Sequence, residues 1–210
     1  ATPVIRKTAT LGGNLLVENR CVYYDQSEEW RTAMGACLRD RGDVCLVTGS
    51  KPNCYSRNVS DLAPALIALD AAVIIRSRQT SDTIPMIDLY NADGLHPHRH
   101  RDDDSIIVGV SISCNSVKSW FRKLRLRRSM DFTSLTVAAT VDETDYARVC
   151  LNGVSMAPVL LQGRVSDLTL DALQRRARKA CQTVENDLMP LKYRREMIGV
   201  YLEEWWESIH

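Results

Sequence analysis

The sequence lacks an excess of charge of either sign: 27 lysines and arginines stand against 26 aspartates and glutamates, a net charge of +1 in 210 residues. Nothing in that balance supplies the positive field that nucleic acid attracts or the acidic excess of a disordered chain. It also lacks an apolar run long enough to cross a bilayer, and no basic patch followed by a long apolar stretch opens it. The chain therefore reads as a soluble, non-exported protein, expected in the cytoplasm, with no membrane span. Internal repeats, low-complexity tracts and the Cys-x-x-Cys pair favoured by zinc ribbons are missing too.

What is present is an ordinary globular composition, 45% hydrophobic and 25% charged, enough for one domain or two small ones. There are seven cysteines. An odd total cannot pair off, and a reducing compartment turns clustered thiols towards metal binding or catalysis. Four of them, Cys21, Cys37, Cys45 and Cys54, crowd one stretch at separations of 16, 8 and 9 residues. Zinc, a 4Fe-4S cluster, which tolerates irregular spacing, and unconnected packing thiols all remain open. Cys114, Cys150 and Cys181 stand apart in apolar or helical contexts and are expected to be buried structural thiols.

The pattern alternates helical and extended signals. An irregular opening around Gly12 and Gly13 is followed by "DQSEEWRTAMGACLRDRG", which reads as a helix capped by Asp25 with Glu28 in a capping box and stopped at Gly42, so that Cys37 lies near its C-terminal end. "VCLV" reads as extended, "TGSKPNC" as loop, "SDLAPALIAL" as a short helix with Ser60 or Asp61 at its cap, and "AAVIIRS" as a buried strand. After the loop "NADGLHPHRHRDDD", the segments "SIIVGVSIS", "KLRLR", "LTVAATV" and "ARVCLNGV" suggest an antiparallel sheet. A helix from about Asp171 to Val184 and one carrying Tyr193, Met197, Val200, Tyr201 and Trp205 close the chain. The fold class is α+β.

Two tempting motifs have plainer accounts. In "FRKLRLRR", Leu124 and Leu126 alternate with Arg122, Lys123, Arg125, Arg127 and Arg128 as on a strand with one solvated face, so no nucleic-acid partner is expected. His96, His98 and His100 of "HPHRH" could present imidazoles to a metal, but the polar setting reads as an exposed loop.

The segments "IRKTATLGGNLL", "RCVYYDQSEEWR", "CLRDRGDVC" and "SDLAPALIALDA", with "FRKLRLRRSMDF", "GVSMAPVLL" and "LKYRREMIGVYL" further on, resemble the flavin-binding medium subunit of the xanthine dehydrogenase (molybdenum hydroxylase) family, specifically the 4-hydroxybenzoyl-CoA reductase β-subunit branch. The resemblance implies the C-terminal part of such a subunit: the rest of an FAD-binding domain over 1–100, with a 4Fe-4S insertion at about 15–60, and a C-terminal α+β domain over 101–210. It implies FAD contacts at Thr10, Gly12, Gly13, Asn14, Asp61, Ile106, Ile107 and Lys123, cluster ligands at Cys21, Cys37, Cys45 and Cys54, and no acid–base catalytic residue. The implied function is electron transfer from ferredoxin through the 4Fe-4S cluster and FAD towards partner subunits, a small one with 2Fe-2S clusters and a large one with the molybdenum cofactor. The alternatives are the FAD subunit of another hydroxylase of the family, acting on an aromatic or N-heterocyclic compound, and a non-enzymatic four-cysteine zinc module. Without the resemblance, the two glycines read as a plain tight turn and Asp61 as a helix cap.

Overall fold

Short polar residues set the helix starts. In the computed structural model, which describes residues 2–99, 104–115 and 117–210, Thr2 caps α1 (Pro3–Thr8) and Thr10 caps α2 (Leu11–Leu15), its hydroxyl accepting from the Gly13 amide at 3.0 Å. The two glycines expected in a turn thus lie inside a helix. Ser27, not Asp25, caps α3 (Glu28–Met34), and Gly35, with a φ of 88°, ends it well before Gly42. Asp25 instead accepts from the Cys21 amide at 3.0 Å and pairs with Arg20. Cys37 therefore lies beyond the helix, in a turn, and the expected extended "VCLV" segment forms turns as well.

The helix α4 (Ala63–Ala68) and the strand β1 (Ala72–Arg76) fall where the apolar runs place them. Helix α4 starts one turn after Ser60, whose hydroxyl accepts from the Ala63 amide at 3.0 Å; Asp61 does not cap it. Strand β2 (Ser81–Pro85) was not legible, being polar and mostly exposed. With β3 (Ile106–Ser111) it completes an antiparallel sheet of order β2-β1-β3.

Strands β4 (Val117–Leu124), β5 (Leu135–Asp142), β6 (Tyr146–Asn152) and β7 (Val159–Arg164) form a second antiparallel sheet in sequential order. Strand β5 is buried on both faces. Leu135, Val137, Ala139 and Val141 face α5 (Leu170–Ala180) and α6 (Leu191–Ile209), whereas Ala138 packs with Cys150, β1 and α4, and the Thr140 hydroxyl donates to the Ala68 carbonyl at 2.6 Å. The molecule is thus layered as sheet, α4, sheet, helix pair.

Three other expectations are corrected. Strand β4 ends at Leu124, so Leu126 lies beyond it and is 51% exposed. Helix α6 buries Arg194, Ile198, Tyr201, Leu202 and Trp205, leaving Tyr193 and Val200 outside. Cys150 and Cys181 are buried but Cys114 is exposed. In the histidine loop, His96 is exposed while His98 is buried against the Tyr90 ring, their centroids 5.8 Å apart; His100 lies outside the described residues.

A buried arginine fastens α6. The Arg194 guanidinium donates to the carbonyls of Ser134, Val184 and Gly153 and to Asn186 Oδ1, and it shares the buried Asp187 with Arg57 at 3.7 and 3.2 Å respectively. Burial pulls its pKa down to about 10, with Asp187 opposing that shift, so the group stays charged at neutral pH.

Candidate functional site: a four-cysteine loop beside a flavin-domain surface

Residues 20 and 57 exchange backbone hydrogen bonds, Arg20 N to Arg57 O and Arg57 N to Arg20 O, each 2.9 Å. This pair forms a stem that closes the loop between them, and all four clustered cysteines lie within the loop. Cys21 and Cys54 sit next to the stem, and Cys37 and Cys45 come back to them from the loop's middle. All four line one small cavity, together with Tyr23, Tyr24, Arg39, Val47 and Ser56. Their relative exposures run from 5 to 9% and none is in a disulfide.

Two glycines, Gly42 and Gly94, allow this approach. A side chain on Gly42 would place its Cβ 1.8 Å from the Ala36 carbonyl oxygen, where the Gly42 amide bonds Cys37 O at 3.0 Å. On Gly94 it would stand 2.3 Å from the Cys54 carbonyl oxygen. Gly42→Ala is therefore expected to open the Cys37 turn. Labelling of Cys37 by a thiol reagent should rise at least about tenfold, the effect of ~1.4 kcal/mol of lost local stability, while Gly12→Ala, whose Cβ meets Ile107 only at 3.8 Å, leaves it unchanged.

The cavity's electrostatics differ from thiol to thiol. Burial pushes Cys21 up to about 11, against amide hydrogen bonds from Tyr23 and Tyr24. Burial also raises Cys54, opposed by the Ser56 amide and the Arg39 charge. At Cys45 burial acts upwards but is outweighed by hydrogen bonds from Tyr55, Thr48 and Val47, which hold the thiol below its ordinary value. Among the described residues no three His, Cys, Asp or Glu side chains stand close enough to hold a single metal ion.

The residues expected at the flavin fall into three groups. Thr10 and Gly13 are joined in the α2 cap, and Gly12 lies under Ile107 of β3. The Asn14 carboxamide oxygen accepts from the Ser60 hydroxyl at 3.0 Å and the Leu62 amide at 2.9 Å. Asp61 and Lys123 pair with each other, Lys123 Nζ lying 2.7 and 2.9 Å from the two carboxylate oxygens and 3.2 Å from the Asp131 carbonyl. Ile106 is 62% exposed, and Leu11 and Leu62 are also open. Behind this surface, Asn152 Nδ2 donates to Asn58 Oδ1 and Ser60 O, and Asn19 Nδ2 to Ser56 O and Met156 O, so fully buried amides tie the loop's exit to the second sheet. None of these asparagines stood out in the sequence, since buried amides leave no periodic signal.

Residues 1–113 match the family described as the FAD binding domain in molybdopterin dehydrogenase. The chain belongs to this FAD-binding family. Over 181 residues it is 30% identical to the aldehyde oxidoreductase FAD-binding subunit PaoB of Escherichia coli (strain K12), covering 82% of the chain and 57% of PaoB. Among solved structures, the fold is shared with a Cu,Mo-CO dehydrogenase in its cyanide-inactivated form (TM-score 0.65, 17% identity, 97% of this chain and 62% of that one). It is shared as well with quinoline 2-oxidoreductase from Pseudomonas putida 86 (TM-score 0.52, 17% identity, 69% and 54%). This FAD-binding-family chain thus spans somewhat over half the length of the relatives it matches. No helix among the described residues is long and apolar enough to cross a membrane.

Proposed function

We propose that this chain is an electron-transfer portion of a molybdenum-dependent oxidoreductase of the 4-hydroxybenzoyl-CoA reductase type, holding FAD and a 4Fe-4S cluster. It would work beside a 2Fe-2S small subunit and a molybdenum-cofactor large subunit, with ferredoxin as electron donor. The observation that carries this reading is the convergence of Cys21, Cys37, Cys45 and Cys54 on one small cavity inside a chain of the FAD-binding family.

The donor set fits the cluster: four thiols, each less than one-tenth exposed, on the walls of one cavity inside the loop. For the flavin, Ile106 and Ile107 offer an apolar surface to a ring, Thr10, Gly12, Gly13 and Asn14 a cap and a close backbone, and the Asp61–Lys123 pair a fixed polar contact. When bound, the two groups supply storage and relay of electrons; the chain's residues hold, orient and shield them, and no side chain here acts as acid or base. The boundary between the two units, expected near residue 100, is proposed to fall between β3 and β4, because β3 pairs with β1 and β4 with β5.

Identity with PaoB favours a second reading, in which the same cofactors serve an aldehyde oxidoreductase. Turnover of 4-hydroxybenzoyl-CoA against aromatic aldehydes by the assembled enzyme separates the two. For the cluster itself, anaerobically purified protein is expected to carry about four irons and four acid-labile sulfides per chain with a broad visible absorption. Zinc, or no metal, overturns it.

A further inference from the structure

We propose that Arg39 sets the electron affinity of the four-cysteine site, acting as a fixed positive charge in the cavity wall that favours the reduced state; this rests on the cluster reading above. Arg39 lines the cavity with the cysteines, and its side chain is only 11% exposed. Three contacts fix it: its guanidinium donates to the Asn19 carbonyl and, at 2.7 Å, to Glu18 Oε2, and lies 4.6 Å from the centre of the Tyr24 ring. The neighbouring charges are committed elsewhere. Arg31 pairs with Asp40 at 3.2 Å, Arg41 with Glu28, and Arg20 with Asp25. Glu18, the counter-charge, is 45% exposed, so water screens it more than it screens Arg39.

One-electron reduction adds one negative charge inside the ring of thiolates and calls for no proton. Beside thiols less than one-tenth exposed, a nearby cation stabilises that added charge more than it would in bulk solvent. Arginine suits the role because it does not lose its proton in proteins, so the bias does not vary with pH.

The full chain, loaded anaerobically with iron and sulfide, is titrated with dithionite and mediators under EPR, with iron and sulfide counted in every sample. Arg39→Gln is expected to shift the reduction equilibrium against the electron at least about tenfold, about 59 mV more negative for a one-electron couple. Arg39→Lys should move it less, Glu18→Gln should move it the other way, and Arg41→Gln, on a side chain 74% exposed, should leave it unchanged. If Arg39→Gln fails to hold iron, Glu18→Gln and Arg39→Lys decide the matter. Loaded Arg39 and Glu18 variants that titrate like the parent overturn the inference alone. A parent chain that takes up no cluster overturns the cluster reading, and this inference with it.

Discussion

Replacing Arg194 with methionine is expected to lower the free energy of unfolding by about 3–5 kcal/mol, the usual cost of removing one partner of a buried ion pair. The site explains the size of the loss. Arg194 is completely buried, and its five N–H groups serve the carbonyls of Ser134, Val184 and Gly153 and the side chain of Asn186 while its charge faces Asp187. Methionine fills part of the volume but leaves those acceptors without a donor and Asp187 with Arg57 alone. Thermal unfolding should show a midpoint roughly 10 °C lower for a chain of this size. Arg194→Lys, which keeps the charge and loses the fork of donors, should fall between the two proteins. A midpoint for Arg194→Met within a degree or two of the parent would show that the network is ornamental to stability.

On the proposed cluster reading, changing Cys21 or Cys54 to serine is expected to take the iron content from about four atoms per chain to less than one. These two thiols flank the hydrogen-bonded stem and are therefore the most firmly placed of the four. Serine keeps nearly the size yet does not supply the soft thiolate that such a centre needs. The exposed Cys114→Ser and the core Cys150→Ala provide the comparison: both should keep their iron. Iron and acid-labile sulfide analysis on matched anaerobic preparations reads the result. Full iron retention in Cys21→Ser would mean that these thiols only pack together.

The layered plan was visible in the sequence wherever burial leaves a pattern. The runs that became β1, β3, β5 and β6, the short helix after Ser60 and the two closing helices all announced themselves through apolar spacing. Strand β2 did not, because an edge strand of Ser81, Asp82 and Thr83 carries almost no apolar signal. The long helix expected from Asp25 was shortened by Gly35, which takes a positive φ and turns the chain so that Cys37 returns towards Cys21. At the site, the four cysteines were conspicuous by type and crowding. Their surroundings were not: Gly42 read only as a helix stop, Gly94 and Arg39 acquire meaning only from close approach in space, and Asp61 and Lys123, 62 residues apart, meet only once β4 is laid beside the start of α4.

The paired amides of Arg20 and Arg57 give the cysteine-bearing segment the character of a purse closed by a drawstring. Further ties, Val22 N to Asn186 O, Gly94 N to Cys54 O and Arg39 to Glu18, hold the closed segment to its surroundings. The segment enters and leaves the scaffold side by side, so the cysteines it carries lie outside both sheets.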